Sequence, residues 1–354
     1  MSAKFWPNAG ISQIGCSFLK AILDNQAEYG EVKSTEEVLN AFNVFNKKLE
    51  KVKKSLGENG RKISQRVIGS MDIKQFYPSI KPAKVALVAK MMWNKSDISV
   101  KNVDVEKLLK YVSKEISKEK LKWLNLDPVL FKRKLVVKKI KDKKQKPKKK
   151  SFSDIWSSPE RPPNQAEIKT LIGLVIENII LLGMGNHLYQ FGNQVRLQND
   201  TGATGYDMTG LCADVYMVWW MDKFVNKLNQ LNIKLDVNVR FKDDLNLMTK
   251  ALPLGTRYDP KNKELHYTNP SLKCFANFSS QSEKEIYESE NPEVITFYVL
   301  SQIANDIDTM ISFTYDVPSN YEPKMVPILD LNVYLNQDGY TICMNSMKSP
   351  PIII

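Results

Sequence analysis

The sequence predicts an α+β fold in which helices pack against antiparallel strands. The strand evidence is a set of predicted hairpins: residues 187–198 contain the turn dipeptide Gly192-Asn193, and two more hairpins cover residues 235–248 and 326–344. The helix evidence is a series of segments with apolar residues at every third or fourth position. These segments are residues 11–28, the stretch after the capping sequence Ser34-Thr35-Glu36-Glu37, residues 83–93 behind Pro82, and residues 103–124, 164–186, 207–228 and 294–312.

The composition indicates a chain with a sizeable core and a basic surface. The 354 residues are 43% hydrophobic and 25% charged, which is enough for one large domain or two ordinary ones and excludes global disorder. The net charge is +12. An excess of this size favours an anionic partner, either nucleic acid or a membrane surface, and a merely solvated basic surface is the alternative.

Zinc sites, disulfide frameworks and membrane spans are all disfavoured. No two of the four cysteines form a CxxC pair, and the chain has only two histidines. No secretory leader is evident in residues 1–7, so we expect an intracellular protein. The most apolar stretch, residues 171–184, contains Glu177 and is too short for a membrane span, which needs about 20 apolar residues.

A dense basic run lies at residues 132–150, where twelve of nineteen residues are Lys or Arg. Such a run is most often a solvated loop. Contact with nucleic acid and a nuclear-localisation signal are the two alternatives, and the second would place the protein in the nucleus. We expect the run to form a surface insertion.

Three aspartates stand where a fold alone would not require them. Asp72 lies at the end of a predicted buried strand, residues 65–73, and Asp243-Asp244 lie at the turn of the 235–248 hairpin. An aspartate in an apolar strand is costly unless it is paired or bound to a cation, and two adjacent aspartates repel each other. A divalent cation would relieve both costs, and carboxylate oxygens suit Mg²⁺. Taken alone, Asp72 could be a helix cap and Asp243-Asp244 a solvated turn.

The segments around these acids resemble the motifs of reverse transcriptases. Residues 68–80, IGSMDIKQFYPSI, are similar to motif A, especially that of Penelope-like and related retroelement enzymes. Residues 240–244, RFKDD, are similar to the aromatic-x-Asp-Asp hairpin of motif C. Residues 196–217, RLQNDTGATGYDMTGLCADVYM, resemble motif B and its helix, so the order A, B, C is kept. Residues 5–12 and 327–331 resemble the fingers segment before motif A and the segment that leads to the primer grip.

The resemblance implies a right-hand polymerase palm with partial fingers, and RNA-directed DNA synthesis. Asp72, Asp243 and Asp244 would be the catalytic acids and, with the backbone carbonyl of Ile73, would hold two Mg²⁺ ions, for which Mn²⁺ could substitute. One ion would activate the primer 3′-hydroxyl, and the other would bind the triphosphate and stabilise the leaving group. The implied partners are an RNA or DNA template with a primer, and deoxynucleoside triphosphates.

Four further residues acquire substrate-binding roles from the resemblance. Tyr77, five residues after Asp72, would be the steric gate, next to Phe76, and its ring would leave no room for a ribose 2′-hydroxyl. Gln198 would lie near the incoming nucleotide and the template base, and Gly205 would let the backbone approach them closely. An ordinary core aromatic is the alternative for Tyr77, and a simple turn glycine is the alternative for Gly205.

The motif positions also divide the chain into segments. We expect partial fingers in residues 1–66, palm in residues 67–94 and 166–335, a charged insertion or connector in residues 95–165, and the truncated start of the primer grip and thumb in residues 336–354. A basic residue of the fingers segment should bind the triphosphate, and the candidates are Lys4, Lys62 and Arg66. A plain surface charge is the alternative for each of them.

Three positions depart from the reverse transcriptase pattern. Thr201 stands where the family usually has glycine, Asp207 where it has a small or apolar residue, and Phe241 where tyrosine is commoner. Two alternatives to an active reverse transcriptase therefore stay open. One is an inactive fragment that only binds nucleic acid, and the other is an RNA-directed RNA polymerase, which Tyr77 disfavours.

Overall fold

The structure is a computed structural model that describes most of the chain. It describes residues 9–26, 31–56, 65–98, 165–184, 187–191, 194–198, 207–267, 280–288 and 290–345. The predicted helix at residues 103–124 and the basic run at residues 132–150 lie outside these ranges. Within them, no helix is both long enough and apolar enough to cross a membrane.

The described elements form a mixed α+β fold whose sheets are all antiparallel. In chain order they are α1 (Ala9–Asp24), α2 (Thr35–Leu56), β1 (Arg66–Ile73), α3 (Phe76–Ser79), α4 (Pro82–Lys95), α5 (Gln165–Met184), β2 (His187–Phe191), β3 (Gln194–Gln198), α6 (Asp207–Gln230), β4 (Leu235–Phe241), β5 (Asp244–Lys250), β6 (Thr256–Asp259), β7 (Glu264–Tyr267), α7 (Gln281–Glu288), α8 (Pro292–Ile307), β8 (Phe313–Asp316), β9 (Val326–Ile328), β10 (Leu331–Leu335) and β11 (Thr341–Asn345).

The chain divides into two compact units, each made of two segments. The first unit is Met1–Gln26 with Ile80–Tyr216, and the second is Ala27–Ser79 with Met217–Ile354. All three aspartates of interest belong to the second unit. The assignment of fingers, palm and thumb segments stays a prediction.

The first unit contains the helices α1, α4 and α5 and the β2–β3 hairpin. The rings of Phe18 and Trp93 meet edge-on with 5.5 Å between their centroids, which joins α1 to α4. Met208, at the start of α6, packs against glycines of α1 and α5: a Cβ added at Gly15 would lie 3.3 Å from its Cε, and one added at Gly183 would lie 2.6 Å from its Sδ. Both glycines therefore make room for this methionine.

A four-stranded sheet in the order β4-β5-β1-β8 is the framework of the second unit. The central strand β1 pairs with both neighbours, so that Met71 lies opposite Leu245 of β5 and Tyr315 of β8. Side chains alternate between the two faces along a strand, and residues directly opposite each other share a face. We call face A the one that carries Ile68 and Asp72, and face B the one that carries Met71.

Face A is covered by α2 and by a second sheet in the order β11-β10-β9. Asn46 of α2 fixes this arrangement, since its carboxamide bonds both the backbone and the hydroxyl of Thr341 on β11 at 2.9 to 3.0 Å. The apolar core between these layers consists of Val32, Val38, Phe42, Phe45, Leu49, Ile68, Val237, Val239, Met248, Val326, Ile328, Leu331, Val333 and Cys343.

Face B packs against α8 and the second half of α6. The indole of Trp220 stacks on Phe313 of β8 with 4.5 Å between ring centroids. Phe297 of α8 lies directly over Gly69, where an added Cβ would meet its ring at 2.8 Å and the Asp316 carbonyl oxygen at 2.7 Å. Gly69 therefore lets both the helix and the neighbouring strand approach β1.

Most of the predicted elements are confirmed within a few residues, and two differ. Residues 326–335 are two strands instead of one, because the chain reverses at Leu329, whose φ is 52°. The helix predicted to reach residue 312 ends at Ile307, and the side chain of Asn305 bonds both the backbone N–H and the carbonyl of Phe313, where β8 begins. The hydrophobic pattern does not indicate β6, β7 or α7.

Replacing Gly69 by alanine should lower the free energy of unfolding by about 1–3 kcal/mol, because the new Cβ would overlap Phe297 and a backbone carbonyl. Gly210→Ala is the matched control, since nothing lies within 4 Å of a Cβ at this helical position. Alanine favours a helix by about 1 kcal/mol over glycine, so the control should be neutral or stabilising. Urea titrations measure both, and a Gly69→Ala variant as stable as the wild type would contradict this packing.

Candidate metal and nucleotide site

The register of β1 and β5 brings two of the predicted acids together. Met71 is paired with Leu245, and the next residues outward at this end of the ladder are Asp72 and Asp244. They are therefore neighbours on face A, although the chain separates them by more than 170 residues. Asp72 is exposed and Asp244 is partly buried.

The third acid stands on the turn that joins β4 to β5. Phe241 pairs with Asp244, which leaves Lys242 and Asp243 as a two-residue hairpin turn. Lys242 has a φ of 54°, the left-handed conformation that such turns require and that a side chain makes costly by about 1–2 kcal/mol. Gln75, two residues after the end of β1, also has a left-handed backbone conformation, with a φ of 50°. Four other non-glycine residues in the described ranges also have a positive φ, so this conformation by itself does not mark the site.

A buried arginine supports the same turn. Arg240 is 1% exposed, and its guanidinium donates to the Lys242 carbonyl at 2.9 Å and lies 3.1 Å from the Glu31 carboxylate. Its own carbonyl accepts the N–H of Val32 at 2.8 Å. From the sequence, Arg240 was identified only as part of a motif. Its position in the polar alternation Asp236, Asn238, Arg240 of β4 gave no signal that its side chain is buried.

Burial and the charge of Asp243 raise the pKa of both Asp72 and Asp244. Burial comes first for Asp244, and the charges of Asp243 and Asp72 add to it, so that its pKa rises to about 6. Partial desolvation and the charge of Asp243 raise the pKa of Asp72, while a hydrogen bond from the Ile73 N–H lowers it. The acids are therefore close enough to interact, and keeping all of them ionised at neutral pH costs free energy.

The donor chemistry of this cluster fits a divalent cation. Carboxylate oxygens are the hard ligands that Mg²⁺ prefers, and a cation would offset the repulsion among Asp72, Asp243 and Asp244. Within the described ranges, no group of three or more His, Cys, Asp or Glu side chains already converges as metal ligands. The carboxylates would therefore have to draw together around the ion. The Ile73 carbonyl as a further ligand stays a prediction.

A buried asparagine shares face A with the acids. Asn246 follows Asp244 by two residues on β5, lies opposite Ser70 of β1 and is 3% exposed. Among the described residues, none bonds its Oδ1 atom. Asn246 is not among the residues predicted from the sequence, although its spacing of two from Asp244, inside the otherwise apolar run 245–248, was the available signal.

The two aromatic residues after motif A differ in their accessibility. The Phe76 side chain is 4% exposed and belongs to the core, whereas Tyr77 is partly exposed, with 5.4 Å between the two ring centroids. Tyr77 is therefore the ring of this pair that a nucleotide could touch. Gln198 is the last residue of β3, and Gly205 lies outside the described residues.

Arg66 has a structural role instead of the predicted contact with a triphosphate. It lies at the opposite end of β1 from Asp72, which is about 20 Å away at the rise of a strand. Its guanidinium is bonded to the Asp236 carboxylate at 2.7 Å and lies over the Phe45 ring. The other two candidates, Lys4 and Lys62, are outside the described residues.

Of the comparisons with known proteins, only the one with solved structures gives matches. No protein-family profile and no curated protein matches the chain. Apo telomerase from Candida tropicalis is similar over 96% of this chain and 41% of its own, at 11% identity and a TM-score of 0.43. Telomerase from Candida albicans, in complex with the TWJ fragment of telomeric RNA, is similar over 68% of this chain and 30% of its own, at 12% identity and a TM-score of 0.36. The chain thus spans less than half of these telomerases, and its function is inferred from its own residues.

The contribution of Asp244 to the stability of the cation-free protein should fall as pH rises from about 4 to above 6. The folded state holds the proton of Asp244 more tightly than the unfolded state does, so this contribution is complete below the ordinary pKa of 3.8 and lost as pH passes about 6. Asp244→Asn should be more stable than the wild type at pH 8 by about 1–2 kcal/mol, because solvent screening reduces the effect at a half-buried carboxylate, and should match it below pH 4.

Urea titrations in EDTA across this range measure the effect. Asp338→Asn, in an exposed turn, is the control for loss of one carboxylate and should follow the wild type. If Asp244→Asn also followed the wild type at every pH, burial and the neighbouring charges would not raise the pKa of Asp244 enough to change the free energy of unfolding.

Proposed function

We propose that this chain is the core of a retroelement reverse transcriptase, an RNA-directed DNA polymerase that resembles Penelope-like and related enzymes. The observation that carries the proposal is the meeting of Asp72 with Asp243 and Asp244 at one end of the β1–β5 ladder. These acids come from the two segments that resemble motifs A and C, and polymerases use acids in that arrangement for nucleotidyl transfer.

The residues of the candidate site would have distinct roles in this chemistry. Asp72, Asp243 and Asp244 would bind two Mg²⁺ ions, which supply charge stabilisation for the attacking and leaving oxygens when bound. The Ile73 N–H holds the Asp72 carboxylate in place, and Arg240 fixes the turn that carries Asp243. Tyr77 excludes nucleotides with a 2′-hydroxyl. The basic surface, with a net charge of +12, attracts the template-primer.

Primer extension tests the proposal directly. The wild type should extend oligo(dT) on poly(rA) with dTTP and Mg²⁺, whereas Asp243→Asn should lose activity by about 100-fold or more, because its carboxamide replaces a charged ligand. Asp338→Asn removes an exposed carboxylate from a turn on another sheet and should retain full activity.

Two results would decide against the proposal. Extension by Asp243→Asn at the wild-type rate would place the chemistry elsewhere. No extension by any variant, together with salt-sensitive binding to the primer-template, would favour the second candidate, an inactive fragment that only binds nucleic acid. The observation that favours this second candidate is the irregular motif B, with Thr201 and Asp207 at positions where the family has other residues.

Tyr77 should decide between deoxynucleotides and ribonucleotides. Tyr77→Val should raise the efficiency of UTP incorporation relative to dTTP by about 10-fold or more, because it removes the ring that occupies the space of the 2′-hydroxyl. Tyr77→Phe keeps the ring and should discriminate like the wild type. Single-nucleotide incorporation measures both ratios, and unchanged discrimination by Tyr77→Val would remove Tyr77 from the site.

A further inference from the structure

A buried oxygen acceptor without a partner lies beside the acids. Among the residues that the structure describes, none donates to Oδ1 of Asn246, and the residue is 3% exposed. An unbonded buried polar atom is costly, and folded proteins rarely keep one without a use. Asn246 therefore requires either a bound molecule at its oxygen or another reason for its presence.

The register of the sheet sets the face on which the Asn246 side chain lies. Asn246 lies opposite Ser70 on β1 and opposite Val239 on β4. Asp72 and Asp244 are two residues further along the same two strands, so all of these side chains lie on face A. Face A thus changes from apolar at Ile68 to polar at its outer end, and Asn246 is the buried member of the polar part.

Because side chains of a strand stand roughly perpendicular to the sheet, the spacing along β5 favours contact of Asn246 with an ion on Asp244 through a water over direct binding of one ion by both residues. Two residues of a strand span about 7 Å, and aspartate and asparagine side chains have the same length. Ligand oxygens of one Mg²⁺ ion lie about 2.1 Å from the metal. A water bound to the ion can bridge this distance. The metal–oxygen bond and the hydrogen bond from that water together reach about 5 Å from the ion to the Asn246 oxygen.

We infer that Asn246 is a positioning residue of the acid site, whose Oδ1 accepts a hydrogen bond from a water molecule of the divalent cation bound by Asp72, Asp243 and Asp244. This inference rests on the proposed function and adds to it a residue that orients the hydrated ion. A neutral carboxamide suits this position, because Mg²⁺ retains several waters and a further carboxylate would add to the repulsion already present.

Three substitutions in the full-length chain test the inference. Asn246→Leu removes the acceptor and keeps the volume, whereas Asn246→Asp keeps an acceptor oxygen. Asn238→Leu is the matched control, because Asn238 on β4 also has a buried Oδ1 without a partner among the described residues but faces the opposite side of the sheet. Mn²⁺ is the probe, with free Mn²⁺ measured by electron paramagnetic resonance, and thermal unfolding is measured in EDTA.

We expect Asn246→Leu to weaken Mn²⁺ binding by about 10- to 100-fold, the usual effect of losing an outer-shell partner. Its melting temperature in EDTA should not fall, since the variant removes an unbonded polar group. Asn246→Asp should keep wild-type affinity or exceed it, and Asn238→Leu should leave the affinity unchanged.

Other outcomes separate the possible failures. Wild-type affinity in Asn246→Leu, equal losses in Asn246→Leu and Asn246→Asp, or an equal loss in Asn238→Leu would each overturn the inference and leave the proposed function standing. A buried structural water at Asn246 would give the first of these results. If Asp243→Asn bound Mn²⁺ as tightly as the wild type, or if the wild type bound none, the proposed function would fail and the inference with it.

Discussion

The pairing of β1 with β5 is the constraint on which the candidate site depends. A shift of one residue in an antiparallel pair moves every side chain to the other face, and would bury Asp72 against α8 and α6. Gly69 prevents this shift, because Phe297 lies where any other residue of β1 would place a Cβ. Gly69 therefore sets the register of β1, and the register in turn sets the position of Asp72.

Stability and function oppose each other at this end of the sheet. The interior half of face A is an apolar core with α2, and it contributes stability through burial. The outer half holds carboxylates that repel each other and a carboxamide oxygen without a described partner. Lys242 and Gln75 add backbone conformations that side chains disfavour. A site that binds a divalent cation accounts for the cost of placing these carboxylates side by side.

The sequence predicts β1, the β4–β5 hairpin and the acids well because all of them depend on local patterns. The apolar run before Asp72 and the alternation around Asp243-Asp244 are visible without any knowledge of partners, and the α+β fold follows from the same periodicities. Asn246 and Arg240 could not be assigned in this way, since their roles depend on the facing residues Ser70 and Glu31. The turn at Leu329 lacks the glycine or proline that would mark it, so β9 and β10 are predicted from the sequence as one strand. The predicted roles of Gln198 and Gly205 stay predictions.

The most direct measurement is the anomalous scattering of Mn²⁺ in crystals of the full-length chain grown with that ion. The account predicts manganese peaks bonded to carboxylate oxygens of Asp72 and Asp243, with Asp244 drawn toward them. Manganese bound only at other acids, such as Asp259 on the β6–β7 hairpin, with Asp72 and Asp243 left without metal, would contradict it.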